Sequence, residues 1–294
     1  MRRLAIFVAA LVMGCGDHAA PTLDAGAGRD VIYLVHNQLW SIALDGSGAR
    51  LLATVGDDAR RSGFPRRLAD GRAVLLADDT GAIYPYVEAQ GGFRALGATN
   101  VTLHDALCAA TVGGADALVY TVTPFQATRA TLMRADPSGT AAAAVAAEHD
   151  GTVVEPAPWD DGAVLAVRNV RGVVTVEILD VAGSGAREVV ATIDPPYGAH
   201  APARLPDGRI VFVRTDARDV TETAIGELFV LERGGSARTS GITGVVALTV
   251  VGDEVVYEVG GASGVSDLVR TNLVDPPVNV TNTPHVAEHL GWSD

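Results

Sequence analysis

Cysteine and aromatic residues are scarce in this sequence. Cys15 and Cys108 are its two cysteines, so the chain can form at most one disulfide within itself. Aromatic residues make up 5% of the chain. This shortage argues against a sugar-binding platform, because aromatic rings supply most of the contact area in such sites.

Basic residues are outnumbered, and the formal net charge is -13. Such an acidic surface repels phosphate backbones and anionic lipid, so the sequence argues against nucleic-acid binding. Apolar residues are plentiful at 48% of the chain. They are enough for a sizeable core, which excludes disorder as the main state.

Several catalytic signatures are missing from the sequence. No serine has glycine both two residues before it and two residues after it, so the nucleophile elbow of the α/β-hydrolases is absent. Phosphate-binding and dinucleotide-binding glycine fingerprints are also absent, because the glycine-rich stretches fall in predicted hairpin turns. These classes of enzyme are therefore excluded.

The N-terminus has the features of an export signal. Two arginines precede an apolar run from Leu4 to Met13, which is about half the length of a membrane-spanning helix. The following Gly14-Cys15 completes a stretch that resembles the bacterial lipobox, in which the cysteine is lipidated. We expect a lipoprotein signal peptide over residues 1–14 and lipid attachment at Cys15. An ordinary signal peptide with a chance cysteine is the alternative, and lipidation would leave Cys108 without a disulfide partner.

Residues 15–28 are small, polar and aperiodic, which is typical of a flexible tether. The expected location is the bacterial cell envelope, with the protein held to a membrane through the lipid alone. Gly16 directly after the cysteine favours the outer membrane, facing the periplasm, under the enterobacterial sorting pattern. The sequence leaves open which membrane and which leaflet hold the protein.

Beyond the tether, short runs rich in valine, isoleucine, leucine and threonine alternate with turn residues, and four stretches align as repeats. Their sequences are FPRRLADGRAVLLA from Phe64, EPAPWDDGAVLAV from Glu155, APARLPDGRIVFV from Ala201 and EHLGWSD from Glu288. One column holds an aspartate in every copy: Asp70, Asp161, Asp207 and Asp294. An Asp-Gly pair predicts a tight turn between antiparallel strands. A second column holds Pro65, Pro156 and Pro202, with His289 in the last copy, and we expect these prolines to open a strand.

The spacing of the repeats predicts an all-β fold, a six-bladed β-propeller of four-stranded antiparallel blades over residues 29–294. Successive turns lie about 45 residues apart, the length of one blade. The first folded residues supply the second, third and fourth strands of a blade but no first strand. The last residues supply a first strand without the strands that would follow it. We therefore expect Leu290–Asp294 to complete the blade that begins at Asp30 and to close the ring. The unit around residues 101–147 is degenerate, so seven blades remain possible.

The repeated pattern is a proline, then a tryptophan or a leucine, then x-Asp-Gly. It resembles the propeller repeat of the TolB family, which is a WD40-like repeat. Residues 204–208 carry its Pro-Asp-Gly part, and Trp292-Ser293-Asp294 carries its Trp-Ser part. The resemblance covers residues 29–294 and implies the fold, whereas the repeat occurs in scaffolds, peptidases and lyases alike. TolB has a separate α/β domain before its propeller and is soluble, so the expected lipid anchor is a departure.

Histidines and arginines are the candidate ligand-binding residues at the mouth of the predicted channel. The histidines fall shortly before predicted inner strands, where several imidazoles could converge: His104, His149, His200 and His289. Related propeller lyases hold a metal there, so His104, His200 and His289 are candidate metal ligands, with solvated loop histidines as the alternative. Arg67 and Arg204 share one column and could bind an acidic ligand or pair with nearby acidic side chains.

We expect a non-catalytic, monomeric envelope lipoprotein whose propeller binds another envelope protein or a peptide, without a cofactor. The alternative is a metal-dependent lyase or hydrolase that acts on a polysaccharide fragment at the channel mouth. Convergence of His104, His200 and His289 on one point would favour the enzyme, and scatter would favour the binding protein. The sequence does not identify the partner.

Ring closure makes the C-terminus essential for folding. Removal of every residue after Pro284 eliminates Leu290 and Trp292, whose burial contributes about 1.5–3 kcal/mol each. We expect the truncated chain to be unfolded or aggregated in size-exclusion chromatography and thermal melting. A soluble truncated chain that melts cooperatively would contradict the predicted closure.

Overall fold

The structure, a computed structural model, describes most of the chain after the predicted tether. The described residues are 30–55, 62–79, 82–89, 92–96, 103–123, 130–138, 143–147, 151–183, 185–216, 224–232, 234–260, 265–281 and 287–290. The predicted signal peptide, Cys15, the tether, His149 and residues 292–294 lie outside them. Among the described residues no helix is long and apolar enough to cross a membrane.

The described residues form 22 strands, and neighbouring strands pair in antiparallel order. A three-stranded sheet contains β1 (Asp30–Val35), β2 (Gln38–Ala43) and β3 (Arg50–Thr54). The next sheet contains β4 (Ser62–Arg67), β5 (Ala73–Asp79), β6 (Ala82–Ala89) and β7 (Gly92–Ala95). The third contains β8 (Leu103–Val112), β9 (Ala115–Thr123), β10 (Thr131–Ala135) and β11 (Ala143–Ala147). The degenerate unit of the sequence is therefore a four-stranded sheet like its neighbours.

The remaining strands form a four-stranded and a seven-stranded sheet. The four-stranded sheet contains β12 (Gly151–Asp160), β13 (Ala163–Val170), β14 (Val173–Asp180) and β15 (Arg187–Ile193). The seven-stranded sheet contains β16 (Gly198–Arg204), β17 (Ile210–Thr215), β18 (Gly226–Leu231), β19 (Ala237–Val251), β20 (Glu254–Gly260), β21 (Ser266–Thr271) and β22 (Val278–Asn279). β19 joins two four-strand groups, because residues 237–245 pair with β18 and residues 245–251 pair with β20.

The hydrophobic core lies between the faces of successive sheets. Leu165 and Val176 of one sheet pack in one cluster with Ile210, Phe212 and Phe229 of the next. Second strands such as β17 (IVFVRT) are buried over nearly their whole length, as expected for strands covered on both faces. The outer strand β15 is mostly exposed, so burial decreases from the inside of each sheet to its outside.

The repeated aspartates form the predicted turns. Asp70 Oδ1 accepts a hydrogen bond from the Arg72 N–H at 2.9 Å, and Asp207 Oδ1 accepts one from the Arg209 N–H at 3.0 Å. The glycine after each aspartate has a positive φ, which a residue with a side chain rarely adopts: 87° at Gly71 and 89° at Gly208. The structure therefore confirms the tight turns at these two copies.

The prolines do not open the inner strands, which corrects the sequence prediction. Pro65, Pro156 and Pro202 lie inside β4, β12 and β16, where the register with the second strand shifts. A bulged residue has no ladder partner, so the missing proline N–H costs nothing there. The residue before each proline has a φ near +50°: 52° at Phe64, 53° at Glu155 and 46° at Ala201.

The C-terminal segment contacts the first strand. The Leu34 N–H donates to the His289 carbonyl and the His289 N–H donates to the Leu34 carbonyl, both at 2.9 Å. The described strands form five sheets, of which none is closed on itself. Because residues 291–294 lie outside the described part, the number of blades and the closure remain predictions.

Phe212 belongs to the cluster between two sheets and is therefore a sensitive site. Its ring is fully buried and lies 5.8 Å, centroid to centroid, from the ring of Phe229. We expect Phe212→Ala to lower the free energy of unfolding by about 3–5 kcal/mol, because a cavity replaces the ring. Urea unfolding measures the loss, and the control Val189→Ala, on exposed β15, should change it by less than about 0.5 kcal/mol. Equal effects of the two variants would contradict this packing.

Candidate functional site

A cavity of about 680 Å³ lies where the inner strands meet. Its wall is formed by the first strand of each sheet, β1, β4, β8, β12 and β16, and by the second half of β19. Strands that are far apart in sequence therefore surround one space. Three of these strands, β4, β12 and β16, carry the repeats that the sequence analysis aligned as inner strands.

The wall of this cavity presents the free edges of strands. β4, β8, β12 and β16 are each hydrogen-bonded to one neighbouring strand within their sheet, so among the described strands they are edge strands. A free edge carries unpaired main-chain N–H and C=O groups, which can pair with an extended ligand. The bulges at Pro65, Pro156 and Pro202 interrupt the regular pairing of these same strands and lie in the wall.

Arg204, a predicted ligand-binding residue, is held by the preceding sheet. Its Nη1 donates to the Trp159 carbonyl at 2.7 Å and to Asp160 Oδ1. Its guanidinium also lies over the Trp159 ring, 4.4 Å from the centroid. Arg204 lines the cavity, but its charge is already paired with a carboxylate, which agrees with the alternative interpretation of this residue.

Arg67 occupies the same repeat column but has a different environment. Its Nη1 donates to the Gly71 carbonyl at 3.1 Å. Burial lowers the pKa of the Arg67 guanidinium, and Asp30 opposes this shift through its charge. No carboxylate in the described part of the chain lies within ion-pair distance of Arg67.

Arg66 is a cavity residue that the sequence reasoning missed. Its Nη1 donates to the Pro65 carbonyl at 2.9 Å, and its guanidinium lies 5.9 Å from the centroid of the Phe64 ring. Burial lowers the pKa of Arg66, and the negative charge of the Glu155 carboxylate opposes the shift. A strand alternates its side chains between two faces, so neighbouring arginines are expected to diverge. Both line the cavity, directly after the bulge at Pro65.

His200 is a buried residue of β16 and does not lie in a connection before the strand, contrary to the prediction. Its exposed fraction is 1%. Its Nε2 lies 2.8 Å from the Ala224 carbonyl, and its Nδ1 lies 3.7 Å from Glu155 Oε2. Burial lowers the pKa of His200 to about 4, so the ring is neutral at neutral pH and does not form an ion pair with Glu155.

Glu155 joins two inner strands, and the sequence reasoning did not assign it a role. Its Oε2 accepts a hydrogen bond from the Ala201 N–H at the bulge of the next inner strand. The carboxylate is 6% exposed and lies in the cavity wall. The signal that could have identified it is its place at the head of a repeat, where Phe64 and Ala201 stand in other copies.

His289 lies elsewhere, on the C-terminal segment. Its Nδ1 is 2.9 Å from Glu258 Oε1, and Glu258 Oε2 accepts from the Leu290 N–H at 3.1 Å. Ser266 Oγ donates to the Glu288 carbonyl at 2.8 Å. These bonds attach residues 288–290 to β20 and β21. The described contacts of His289 therefore hold the C-terminal segment in place.

The histidines show no common metal site among the described side chains. His104 lies within β8, where its backbone pairs with Val122, so it does not lie in a connection before the strand. The side chain of His104 is outside the description. No group of three or more His, Cys, Asp or Glu side chains that could hold a metal occurs in the part that the structure describes. His200 and His289 have different carboxylate neighbours, Glu155 and Glu258.

Comparison with known proteins identifies the fold. No protein-family model and no curated protein matches the sequence. Among solved structures, a protein assigned as TolB from Agrobacterium tumefaciens matches with a TM-score of 0.61 and 13% identity, covering 86% of this chain and 88% of that chain. A chain from a nidogen–laminin complex has a TM-score of 0.66 and 11% identity, with 90% and 97% covered.

The hydrazine synthase of Kuenenia stuttgartiensis matches with a TM-score of 0.68 and 11% identity. The match covers 87% of this chain and 43% of the synthase chain, so this protein spans less than half of that length. Likenesses at such low identity show the fold alone. The protein is an all-β chain with the sheet arrangement of the β-propellers, and a TolB protein is among its structural neighbours.

The buried His200 predicts acid sensitivity. Its folded-state pKa of about 4 lies below the ordinary 6.5, so the unfolded chain binds the proton first as the pH falls. The stability from the neutral ring is present above pH 6.5 and is lost towards pH 4, with a total on the order of 3 kcal/mol. Urea unfolding across this range should show a shallower loss for His200→Gln, which can still donate to the Ala224 carbonyl. Identical slopes would contradict the assignment.

Proposed function

We propose that this protein is a non-catalytic envelope lipoprotein whose propeller binds a peptide or a segment of another envelope protein in its central cavity. In this proposal six blades form the ring, residues 290–294 close it, and Cys15 carries the lipid. The mature protein acts as a monomer. The TolB neighbour supports an envelope location by its likeness in fold, and the N-terminal sequence supports the anchor.

The cavity carries the proposal. At about 680 Å³ it falls within the roughly 300–1,000 Å³ range of sites that enclose small ligands. Its wall combines free strand edges with apolar side chains such as Phe64 and Trp159. Strand edges recognise an extended main chain, and the neighbouring side chains select the residues that it carries.

The environment of His200 supports binding over catalysis. An acid–base or metal-ligating imidazole must reach the substrate or the metal with a free nitrogen. His200 is almost fully buried, with one nitrogen on the Ala224 carbonyl and the other facing Glu155. His289 is directed at Glu258, which also holds the backbone of Leu290. Both rings contribute to the cohesion of the inner strands.

Native mass spectrometry of the full-length protein, extracted in detergent from its own envelope, tests the proposal. We expect a diacyl or triacyl mass on Cys15 and a co-purifying protein or peptide. Cys15→Ala should lose the acyl mass, whereas the matched variant Cys108→Ala should retain it, because the Cys108 thiol is buried. A lipidated protein that carries one divalent metal and no partner would instead favour the metal-dependent lyase or hydrolase.

A further inference from the structure

We propose that Arg66 and Arg67 form a subsite in the central cavity that binds a carboxylate group of the ligand. The inference rests on the proposed function, because it assigns a chemical class to the ligand of the same cavity. It goes further by naming the residues that select the ligand and by separating them from Arg204.

The charge of the cavity wall differs in sign from the charge of the protein. Three arginines and two carboxylates line the cavity: Arg66, Arg67, Arg204, Asp30 and Glu155. With His200 neutral, these groups sum to +1, and the sum remains +1 when their ion-pair partners Asp160 and Arg50 are included, in a chain whose formal net charge is -13. The cavity wall is therefore a place where an anion would not meet the repulsion of an acidic surface.

The repeats provide an internal comparison for these arginines. Arg204 and Arg67 share a column, yet Arg204 is paired with Asp160 of the preceding sheet. Within the described residues, neither Arg66 nor Arg67 has a carboxylate at ion-pair distance. Asp30 and Glu88 act on Arg67 through their charges without reaching ion-pair distance, and the Asp30 carboxylate lies 4.0 Å from the Arg50 guanidinium. The positive charge of the cavity is thus concentrated on the β4 side.

Both guanidinium groups retain donors for a ligand. A guanidinium has five N–H donors, and Arg66 and Arg67 each direct an Nη1 donor to a nearby backbone carbonyl. The Nε of Arg67 is a buried donor that finds no acceptor among the described atoms. A carboxylate can accept two parallel hydrogen bonds from one guanidinium, so its geometry suits these remaining donors.

Burial strengthens such a contact. It lowers the pKa of both arginines, which shows that water solvates their charges poorly. A carboxylate that enters the cavity restores a partner to these charges in a medium that screens the attraction less than bulk water does. The carboxylate can belong to the C-terminus of a peptide or to an Asp or Glu side chain, and the test separates these sources.

The test uses the full-length lipidated protein in detergent and detects bound ligand by native mass spectrometry. The probes are a tetrapeptide library with free C-terminal carboxylates, the same library amidated at the C-terminus, and glutarate. The variant is Arg66→Gln/Arg67→Gln. The control is Arg72→Gln, which removes one positive charge from the exposed turn after β4, where Arg72 pairs with Asp70 at 2.7 Å. Thermal melting verifies that each variant is folded, and the two single variants replace the double variant if it is not.

We expect the wild-type protein to retain carboxylate-bearing probes and the double variant to bind them about tenfold more weakly. Arg72→Gln should bind them like the wild-type protein. Binding restricted to the free-acid library identifies a C-terminal carboxylate. Binding of amidated members that all contain Asp or Glu identifies a side-chain carboxylate.

Other results would overturn the subsite. If amidated peptides without Asp or Glu bind as tightly as the acids, or if the double variant binds like the wild-type protein, the cavity binds peptides without this anchor and the proposed function stands. If glutarate binds through the arginines but no peptide does, the carboxylate subsite stands and the peptide scaffold is wrong. If no probe binds, the subsite is wrong.

Discussion

The arrangement of this protein depends on the packing of each sheet against the faces of its neighbours. A single four-stranded sheet of this composition would leave apolar side chains exposed on both faces, and burial between successive sheets removes them from water. Leu165 and Phe212 belong to different sheets and meet in one cluster. The first strands of the sheets, β4, β8, β12 and β16, line a common cavity, which is a consequence of this packing.

The inner strands must also be joined to one another, and the bonds that join them differ between copies of the repeat. Glu155 accepts the Ala201 N–H across one junction, and Glu258 accepts the Leu290 N–H across another. The bulge in β16 places the Ala201 N–H where the regular ladder does not use it. The bulge recurs in several inner strands. The side chain that accepts a hydrogen bond from its N–H, however, occurs in one copy of the repeat only.

The same asymmetry gives the cavity its chemistry. The chain contains no lysine, so all of its permanent cations are guanidinium groups, which pair with carboxylates in a fixed planar geometry. Asp160 neutralises Arg204 on one side of the cavity, whereas Arg66 and Arg67 retain their charge on the other. The proposed ligand specificity therefore comes from the one copy of the repeat whose arginines have no carboxylate at ion-pair distance among the described residues.

The sequence by itself determined the strands, the turns at Asp70 and Asp207 and the propeller-like order of the sheets, because hydrophobic alternation and Asp-Gly chemistry are local signals that recur about every 45 residues. It also placed Arg67 and Arg204 beside the cavity. Only the tertiary structure decided that Arg204 is paired, that Arg66 joins Arg67, and that His200 is buried and neutral. The physical reason is that a repeat column fixes a residue's place within its own sheet. The partner and the burial of that residue come from the next sheet, whose side chains change from copy to copy.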